Sequence, residues 1–242
     1  MCEEVYSKNQ DIVILQIASG FAPDERLSNL LKSFEQVNIE YILFLNSLEL
    51  EVKKEIKEQW EGRYIYNTNS IEGNTMSEKN VNDYLKSGKE PDKISKREIY
   101  ETTNLKHALD FLKLKRNENI SEELIKELHF MVQKDIDPNA GNYKQFYNYV
   151  NPNSPTTPPQ HVTERMNKLV EWYKNNQQKF NPIVVASIFH MQFELIHPFG
   201  DGNGRVGRLI MNHILEQNNC LPLTILEKTK QSYYHALENR SL

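Results

Sequence analysis

The residues best suited to chemistry lie in one twelve-residue segment, His197 to Arg208, with the sequence HPFGDGNGRVGR. It contains an imidazole, a carboxylate, an amide, two arginines and four glycines. No other segment of the chain combines so many groups that bind phosphate or move a proton.

The glycines and arginines of this segment predict an anion site. Helical spacing resumes at Arg205, so the loop that contains Gly202 and Gly204 ends at a helix N-terminus. Amide groups there lack intrahelical partners, and they and the helix dipole favour a bound phosphate. Arg205 and Arg208 are three residues apart and share one helix face, where both guanidinium groups could hold phosphate oxygens.

Three other polar residues of the segment fit the same chemistry. Asp201 is the natural ligand for a Mg²⁺ on the phosphates, because Mg²⁺ takes one or two carboxylates and completes its shell with phosphate and water. Asn203 could donate to another phosphate oxygen. His197 is the group that can accept a proton near neutral pH, so we expect it to be a general base.

A buried helix is expected to position this loop. The run before it has Asn181 as N-cap and Pro182 at the first helical position, and it continues to Ile196. It is apolar on nearly every side. A helix of that kind belongs at the centre of a fold.

Two other interpretations of the loop fail. Gly202 to Gly207 satisfies the dinucleotide fingerprint, with Glu227 twenty residues later, but that fingerprint requires a preceding strand and here a helix precedes it. A solvated loop would not explain why so many phosphate-binding groups meet between glycines.

The segment resembles the signature of Fic-domain proteins, HPFxDGNGRxxR, without a departure. The resemblance covers about residues 60–240 and implies transfer of AMP from ATP to a Ser, Thr or Tyr hydroxyl of a target protein, with diphosphate leaving. It implies that His197 is the base, Asp201 the Mg²⁺ ligand, and Asn203 with the amides of Gly202 and Gly204 the α/β-phosphate cradle, while Arg205 holds the β-phosphate and Arg208 the γ-phosphate.

Glu72 would on its own be a solvated residue in the last turn of a helix, where the dipole disfavours a carboxylate. Thr68, Glu72 and Gly73 match the inhibitory pattern of the Fic family, which is Ser or Thr, three residues, Glu, then Gly or Asn. The pattern precedes the catalytic motif, as in the second class of the family. The resemblance implies that Glu72 pairs with Arg208 and blocks the γ-phosphate.

The chain has one convincing hairpin candidate. Aromatic and β-branched residues alternate from Tyr143 to Val150 before a turn at Asn151 to Pro155. The resemblance implies a flap that aligns a target peptide by strand addition. Lys144 stands where relatives commonly have Arg, and an ordinary surface hairpin is the alternative.

The rest of the chain predicts helices. Thr75 to Glu78 and Ser95 to Glu98 have the capping-box pattern, each opening a helix. His129, on a later helix, fits a satisfied core or rim histidine better than a ligand. Near the C-terminal end, the resemblance suggests that Tyr233, Tyr234 or both line the adenosine pocket.

Composition excludes several classes of protein. The 242 residues carry a net charge of −4 with both signs interspersed, so nothing suggests nucleic acid or an anionic membrane surface as partner. Two cysteines exclude a disulfide framework and fit a reducing compartment, so we expect the cytoplasm. No stretch approaches transmembrane length.

The sequence therefore predicts a mainly α Fic-type domain with one β-hairpin flap. We expect an N-terminal extension over residues 1–50, partly helical, and the Fic domain over 51–242, with the inhibitory helix at about 53–73, the flap at about 142–151 and the catalytic loop at 197–208. The predicted function is Mg²⁺-dependent protein adenylylation from ATP, restrained by Glu72, with self-modification and a homodimer. Removal of AMP from a modified protein with the help of Glu72 and a silent helical interaction module are the alternatives.

Overall fold

The computed structural model describes residues 24–151 and 154–238, and within them the protein is mainly helical, as predicted. The chain divides into two units, Met1–Leu48 and Glu49–Leu242. In the first unit, helix α1 spans Glu25–Ser47, and the Asp24 carboxylate caps it by accepting from the Leu27 amide at 2.7 Å. The part of the expected N-terminal extension before residue 24 lies outside the described residues.

The second unit contains the segment from His197 to Arg208. Its elements in chain order are α2 Leu50–Ile71, α3 Glu78–Ser87, α4 Lys96–Leu114, α5 Glu122–Gln133, β1 Tyr149–Asn151, β2 Ser154–Pro155, α6 Pro159–Asn176, α7 Pro182–Ile196, α8 Asn203–Gln217, a 3-10 turn Glu227–Thr229 and α9 Lys230–Glu238. In the part of the chain that the structure describes, no helix is long and apolar enough to cross a membrane.

Helix α7 is the buried helix that the sequence predicts. The Asn181 side chain accepts from the Ile183 amide at 2.9 Å, and Pro182 begins the helix. Phe189 and Phe193 are fully buried, and α7 packs most extensively against α8. The two helices are joined by residues 197–202, so the packing of α7 on α8 fixes both ends of the loop.

One of the two predicted capping boxes forms. Ser95 and Glu98 exchange both capping bonds at the start of α4. The box from Thr75 to Glu78 does not form, because α3 begins at Glu78 with Ser77 as its N-cap. The Thr75 amide and hydroxyl instead donate to the Glu98 carboxylate at 2.7 Å, so a tertiary contact replaces the local cap.

The predicted hairpin is wrong over most of its length, because residues 143–148 form no strand. Within residues 24–151 and 154–238, the strands that pair are β1 and β2, which run antiparallel with an irregular register. The segment is fixed by other contacts: the Lys144 amide donates to the Pro198 carbonyl at 2.9 Å, and the Asn148 side chain donates to the Phe199 carbonyl at 2.9 Å. These bonds to the loop take the place of a strand ladder.

Candidate active site

The loop between α7 and α8 has a fixed backbone shape. His197 closes α7 in the left-handed conformation, with φ 50° and ψ 61°. The Asn203 side chain accepts from the Phe199 amide and donates to the Phe199 carbonyl, both at 2.9 Å. The Asn203 side chain was expected to donate to a phosphate oxygen, but it is 2% exposed and its amide is used to hold the loop.

The rings of Phe199 and His129 pack together under the backbone of the loop, on its buried side. The Phe199 ring is fully buried and stacks on the His129 ring, with centroids 3.7 Å apart and planes at 5°. The Gly141 amide donates to His129 Nδ1 at 2.9 Å, so the ring proton lies on Nε2, which contacts the Asp201 carbonyl at 3.0 Å. His129 is therefore a satisfied core histidine, as predicted, and it anchors the backbone of the loop.

His197 is mostly buried, with 19% of its side chain exposed. Burial and the nearby Lys144 ammonium lower the pKa of His197 to about 4. The imidazole is neutral at pH 7 and can accept a proton.

Asp201 presents a half-exposed carboxylate at the surface of the loop, with 49% of the side chain exposed. The carboxylate contacts Arg97 Nη2 at 2.7 Å and Arg205 Nη2 at 3.3 Å, and it accepts from the Gly202 amide at 2.6 Å. Burial alone would raise the pKa of Asp201, but Arg205, the Gly202 amide and Arg97 together lower it. The group is ionised at neutral pH.

The donor set around Asp201 fits a cation carried by phosphate better than an all-protein site. The described residues contain no cluster of three or more metal-ligating side chains. Mg²⁺ commonly takes one or two carboxylates together with phosphate and water. Asp201 is thus able to supply one oxygen to a phosphate-bound Mg²⁺.

Arg205 is buried, with 2% of its side chain exposed. Its guanidinium lies 3.3 Å from a Glu101 oxygen and 3.3 Å from an Asp201 oxygen. Arg97 also contacts Glu101, at 3.2 Å. Arg205 therefore links α4 to the loop in addition to being a candidate phosphate ligand.

Glu72 and Arg208 lie in direct contact, although 136 positions separate them. Arg208 Nη2 donates to Glu72 Oε1 at 2.7 Å, and Arg208 Nε donates to the Thr68 hydroxyl at 2.6 Å. The Thr68 carbonyl accepts a third bond at 3.0 Å. Burial alone would lower the pKa of Arg208, but the Glu72 carboxylate and other neighbours raise it.

The Glu72 carboxylate also lies over the first turn of α8. A Cβ added at Gly204 would come within 2.3 Å of Glu72 Oε1 and 2.9 Å of Arg208 Nη1. Helix α8 begins at Asn203, so the carboxylate sits where the free amides and dipole of a helix N-terminus favour an anion. A negative side chain thus occupies the predicted phosphate position, with 32% of that side chain exposed.

Tyr233 and Tyr234 lie at the same end of the site. The Tyr233 hydroxyl contacts His190 Nε2 at 2.8 Å and accepts from Arg208 Nη1 at 3.4 Å. The Tyr234 hydroxyl donates to the Ile71 carbonyl at 3.4 Å, next to Glu72. Their predicted place in an adenosine pocket stays a prediction.

Sequence reasoning missed Glu194, Arg97 and Glu101. Glu194 had a signal, because a carboxylate three residues before His197 on a mainly apolar helix is unusual. Arg97 and Glu101 had none, because their contacts with Asp201 and Arg205 join parts of the chain about a hundred residues apart.

The chain is similar in sequence to proteins of a known family. Residues 119–215 match the Fic/DOC family. The chain is 34% identical over 185 residues to the protein adenylyltransferase fic-1 of Caenorhabditis elegans, covering 74% of this chain and 36% of that protein. It is 31% identical over 193 residues to the protein adenylyltransferase Fic of Nematostella vectensis, covering 78% of this chain and 45% of the relative. The chain thus spans less than half the length of these two relatives.

Solved structures share the fold. A Fic domain-containing signalling protein from Bacteroides thetaiotaomicron superposes with a TM-score of 0.77 at 25% identity, covering 86% of this chain and 80% of that one. A segment of C. elegans Fic-1 superposes with a TM-score of 0.76 at 29% identity, covering 88% of this chain and 65% of the other.

Proposed function

Because the chain carries a Fic domain of the Fic/DOC family, we propose that it is a protein adenylyltransferase that moves AMP from ATP to a hydroxyl group of a target protein. Relatives with that activity in their names, at 31 to 34% identity, support the proposal. The resemblance found in the loop sequence is confirmed at the level of the domain.

The observation that carries the proposal is the arrangement around the N-terminus of α8. The loop and the first turns of α8 bring together a neutral imidazole, an ionised carboxylate, the backbone amides of a helix N-terminus that has no side-chain cap, and the Arg208 guanidinium. A triphosphate chain needs several donors and a base close to its α-phosphorus. The loop has these groups on a rigid support, because α7 and Phe199 are buried.

In the proposed reaction His197 acts on the acceptor hydroxyl. Nε2 takes the hydroxyl proton as the oxygen attacks the α-phosphorus, which forms the new O–P bond. The bond from the α-phosphorus to the bridging oxygen breaks, and diphosphate leaves with the electron pair. Arg205 and Arg208 hold the leaving phosphates, and the amides of Gly202 and Gly204 hold the α/β-phosphates.

Asp201 would hold a Mg²⁺ bound to the phosphates, and that ion would supply positive charge to stabilise the departing diphosphate. Before nucleotide binds, Arg97 balances the Asp201 carboxylate. That contact contributes to the lowered pKa of Asp201, and Arg97 would have to leave Oδ2 for a cation to bind there.

Glu72 restrains this reaction in our proposal. It holds Arg208 and occupies the anion position beside Gly204, so the γ-phosphate and Glu72 compete for the same guanidinium. The Thr68 hydroxyl also accepts a hydrogen bond from Arg208, and this bond helps to hold the guanidinium in contact with Glu72. Glu72 could instead orient a water for removal of AMP, which is the second activity to be assayed.

The acceptor is proposed to come from a target protein or from a second copy of the chain. Residues 142–151 form no strand before Tyr149, but this segment would still contact the target, because Phe146 is 81% exposed and Tyr147 61% exposed beside the loop. These aromatic side chains suit contact with a peptide. A homodimer and a cytoplasmic location complete the proposal, the second supported by two cysteines in the whole sequence.

Labelled ATP tests the reaction type. With ATP labelled in the α-phosphate, label is expected to appear on the protein itself or on an added target, and with γ-labelled ATP it is not. The Asp201→Asn variant serves as the control, because it removes the carboxylate proposed for Mg²⁺. Transfer of γ-label would indicate a kinase, and absence of both ATP binding and transfer in Glu72→Gly would indicate a silent module.

A further inference from the structure

Glu194 lies between His190 on α7 and His197 at the C-cap of α7, and three of the four atoms that face one another make no hydrogen bond. Glu194 Oε1 lies 3.9 Å from His190 Nδ1, and Oε2 lies 3.8 Å from His197 Nδ1. Oε1 and both Nδ1 atoms are buried without a hydrogen bond. Unpaired buried polar groups are costly, and such a group in a native protein calls for an explanation.

Helix α8 presses against this cluster. A Cβ added at Gly207 would come within 2.7 Å of both Glu194 Oε1 and His190 Nδ1. The carboxyl group is therefore held close to the two rings, because α8 leaves it little space on the other side.

The proton on His190 can be assigned from its other neighbours. A guanidinium has no acceptor, so Arg208 Nη1 donates to the Tyr233 oxygen. The hydroxyl hydrogen of Tyr233 is therefore available to donate to His190 Nε2. Burial lowers the pKa of His190 to about 3, so the ring is neutral and carries its hydrogen on Nδ1. His190 Nδ1 lies 3.9 Å from Glu194 Oε1 and near the Gly207 backbone, while Glu194 Oε2 faces His197 Nδ1 at 3.8 Å.

The charge of Glu194 changes between neutral and alkaline pH. Burial raises the pKa of Glu194 to about 8, with Arg208 opposing the rise and Glu72 adding to it. Tyr233, from α9, faces the same carboxyl group, and Lys144 faces His197. Near neutral pH the carboxyl group is protonated, and it becomes a carboxylate as the pH rises through about 8.

We propose that Glu194 is a positioning residue that selects the tautomer of His197. As a carboxylate it accepts from Nδ1–H, which leaves Nε2 free to take the acceptor proton. As an acid it donates to Nδ1, and the ring hydrogen then lies on Nε2 and blocks the base. The present distance exceeds a hydrogen bond, and catalytic contacts of this kind tighten when substrate binds.

The inference rests on the proposed role of His197 as base, but its first test needs no activity. Nitrogen-15 spectra of histidine-labelled protein distinguish the two tautomers of each neutral ring. The His197 signals are assigned with His197→Asn. We expect His197 to change from the Nε2–H to the Nδ1–H form as the pH rises through about 8.

Two variants sharpen the spectroscopic test. Glu194→Gln cannot ionise, so His197 should keep one tautomer at every pH, while Glu164→Gln, the same change at an exposed site on α6, should behave as wild type. Glu72→Gly removes a charge that raises the pKa of Glu194, so the change should occur at lower pH.

Activity gives the second test. At alkaline pH, Glu194→Gln should transfer AMP about 10- to 100-fold more slowly, as when a partner that fixes a histidine tautomer is lost, with the KM for ATP unchanged. The rate of the wild type should rise through pH about 8, and that of the variant should not.

A single His197 tautomer at all pH values in wild type, or the same pH-dependent change in Glu194→Gln, would overturn the inference. If the tautomer changes as expected but no variant transfers AMP, the proposed function fails and the assignment of the tautomer stands.

Discussion

Replacing Glu72 by glycine is expected to increase AMP transfer by about 10- to 100-fold. The substitution frees Arg208 and uncovers the first turn of α8, and it removes a negative charge that faces the incoming phosphates. Positioning decides the size of the effect, because about 1 Å of misplacement of reacting groups can lose ~10² in rate. The measurement is autoadenylylation of purified wild type and variant at matched ATP and Mg²⁺ concentrations.

Three controls separate competition at Arg208 from a general loosening of the protein. Glu72→Gln keeps the shape but not the charge and should give an intermediate rate, and Thr68→Ala should give a smaller rise. Glu164→Gln should change nothing. Unchanged or lower transfer in a folded Glu72→Gly protein, judged by circular dichroism, would refute the inhibitory role. A selective loss of AMP removal would move Glu72 to a hydrolytic role.

Replacing His197 by asparagine is expected to reduce transfer by about 10²- to 10⁴-fold, the usual contribution of a general base. Asparagine is preferred to alanine because His197 has φ 50°, a conformation that asparagine tolerates. ATP affinity should stay nearly unchanged, since the imidazole acts on the acceptor hydroxyl and is not proposed to bind phosphate.

The comparison is best made in the Glu72→Gly background, where transfer is fast enough to measure a large loss. Calorimetry with ATP provides the binding control for each protein. If the His197→Asn protein kept full activity in saturating ATP, the imidazole would not be the base. A loss of ATP affinity equal to the loss of rate would assign it to phosphate binding instead.

The parts of the site that sequence predicted correctly depend on local signals. Asn181 and Pro182 set the start of α7, and the apolar run that follows accounts for its burial. The contact between Glu72 and Arg208 was anticipated only from the family pattern, because no periodicity relates residues 136 positions apart.

The parts that sequence misjudged depend on tertiary contacts. The sequence from Tyr143 to Val150 alternates as in a β-strand. In the structure the buried Lys144 ammonium donates hydrogen bonds to the side chains of Asn148 and Thr156, and these bonds replace the backbone hydrogen bonds of a β-ladder. The sequence predicts Thr75 as a helix N-cap, but in the structure its hydroxyl donates to the Glu98 carboxylate, 23 positions away. The environment of Glu194 likewise exists only once α8 packs on α7.

The most direct test of the account is a calorimetric titration of Mg²⁺–ATP into four proteins: wild type, Glu72→Gly, Arg208→Gln and the double variant. A contact between a close charge pair contributes about 1.5 kcal/mol or more, so removal of Glu72 should tighten ATP binding by about tenfold. Because the γ-phosphate and Glu72 are proposed to share Arg208, most of that gain should disappear when Arg208 is glutamine. An equal gain with and without the arginine, or no gain in either background, would contradict competition for Arg208.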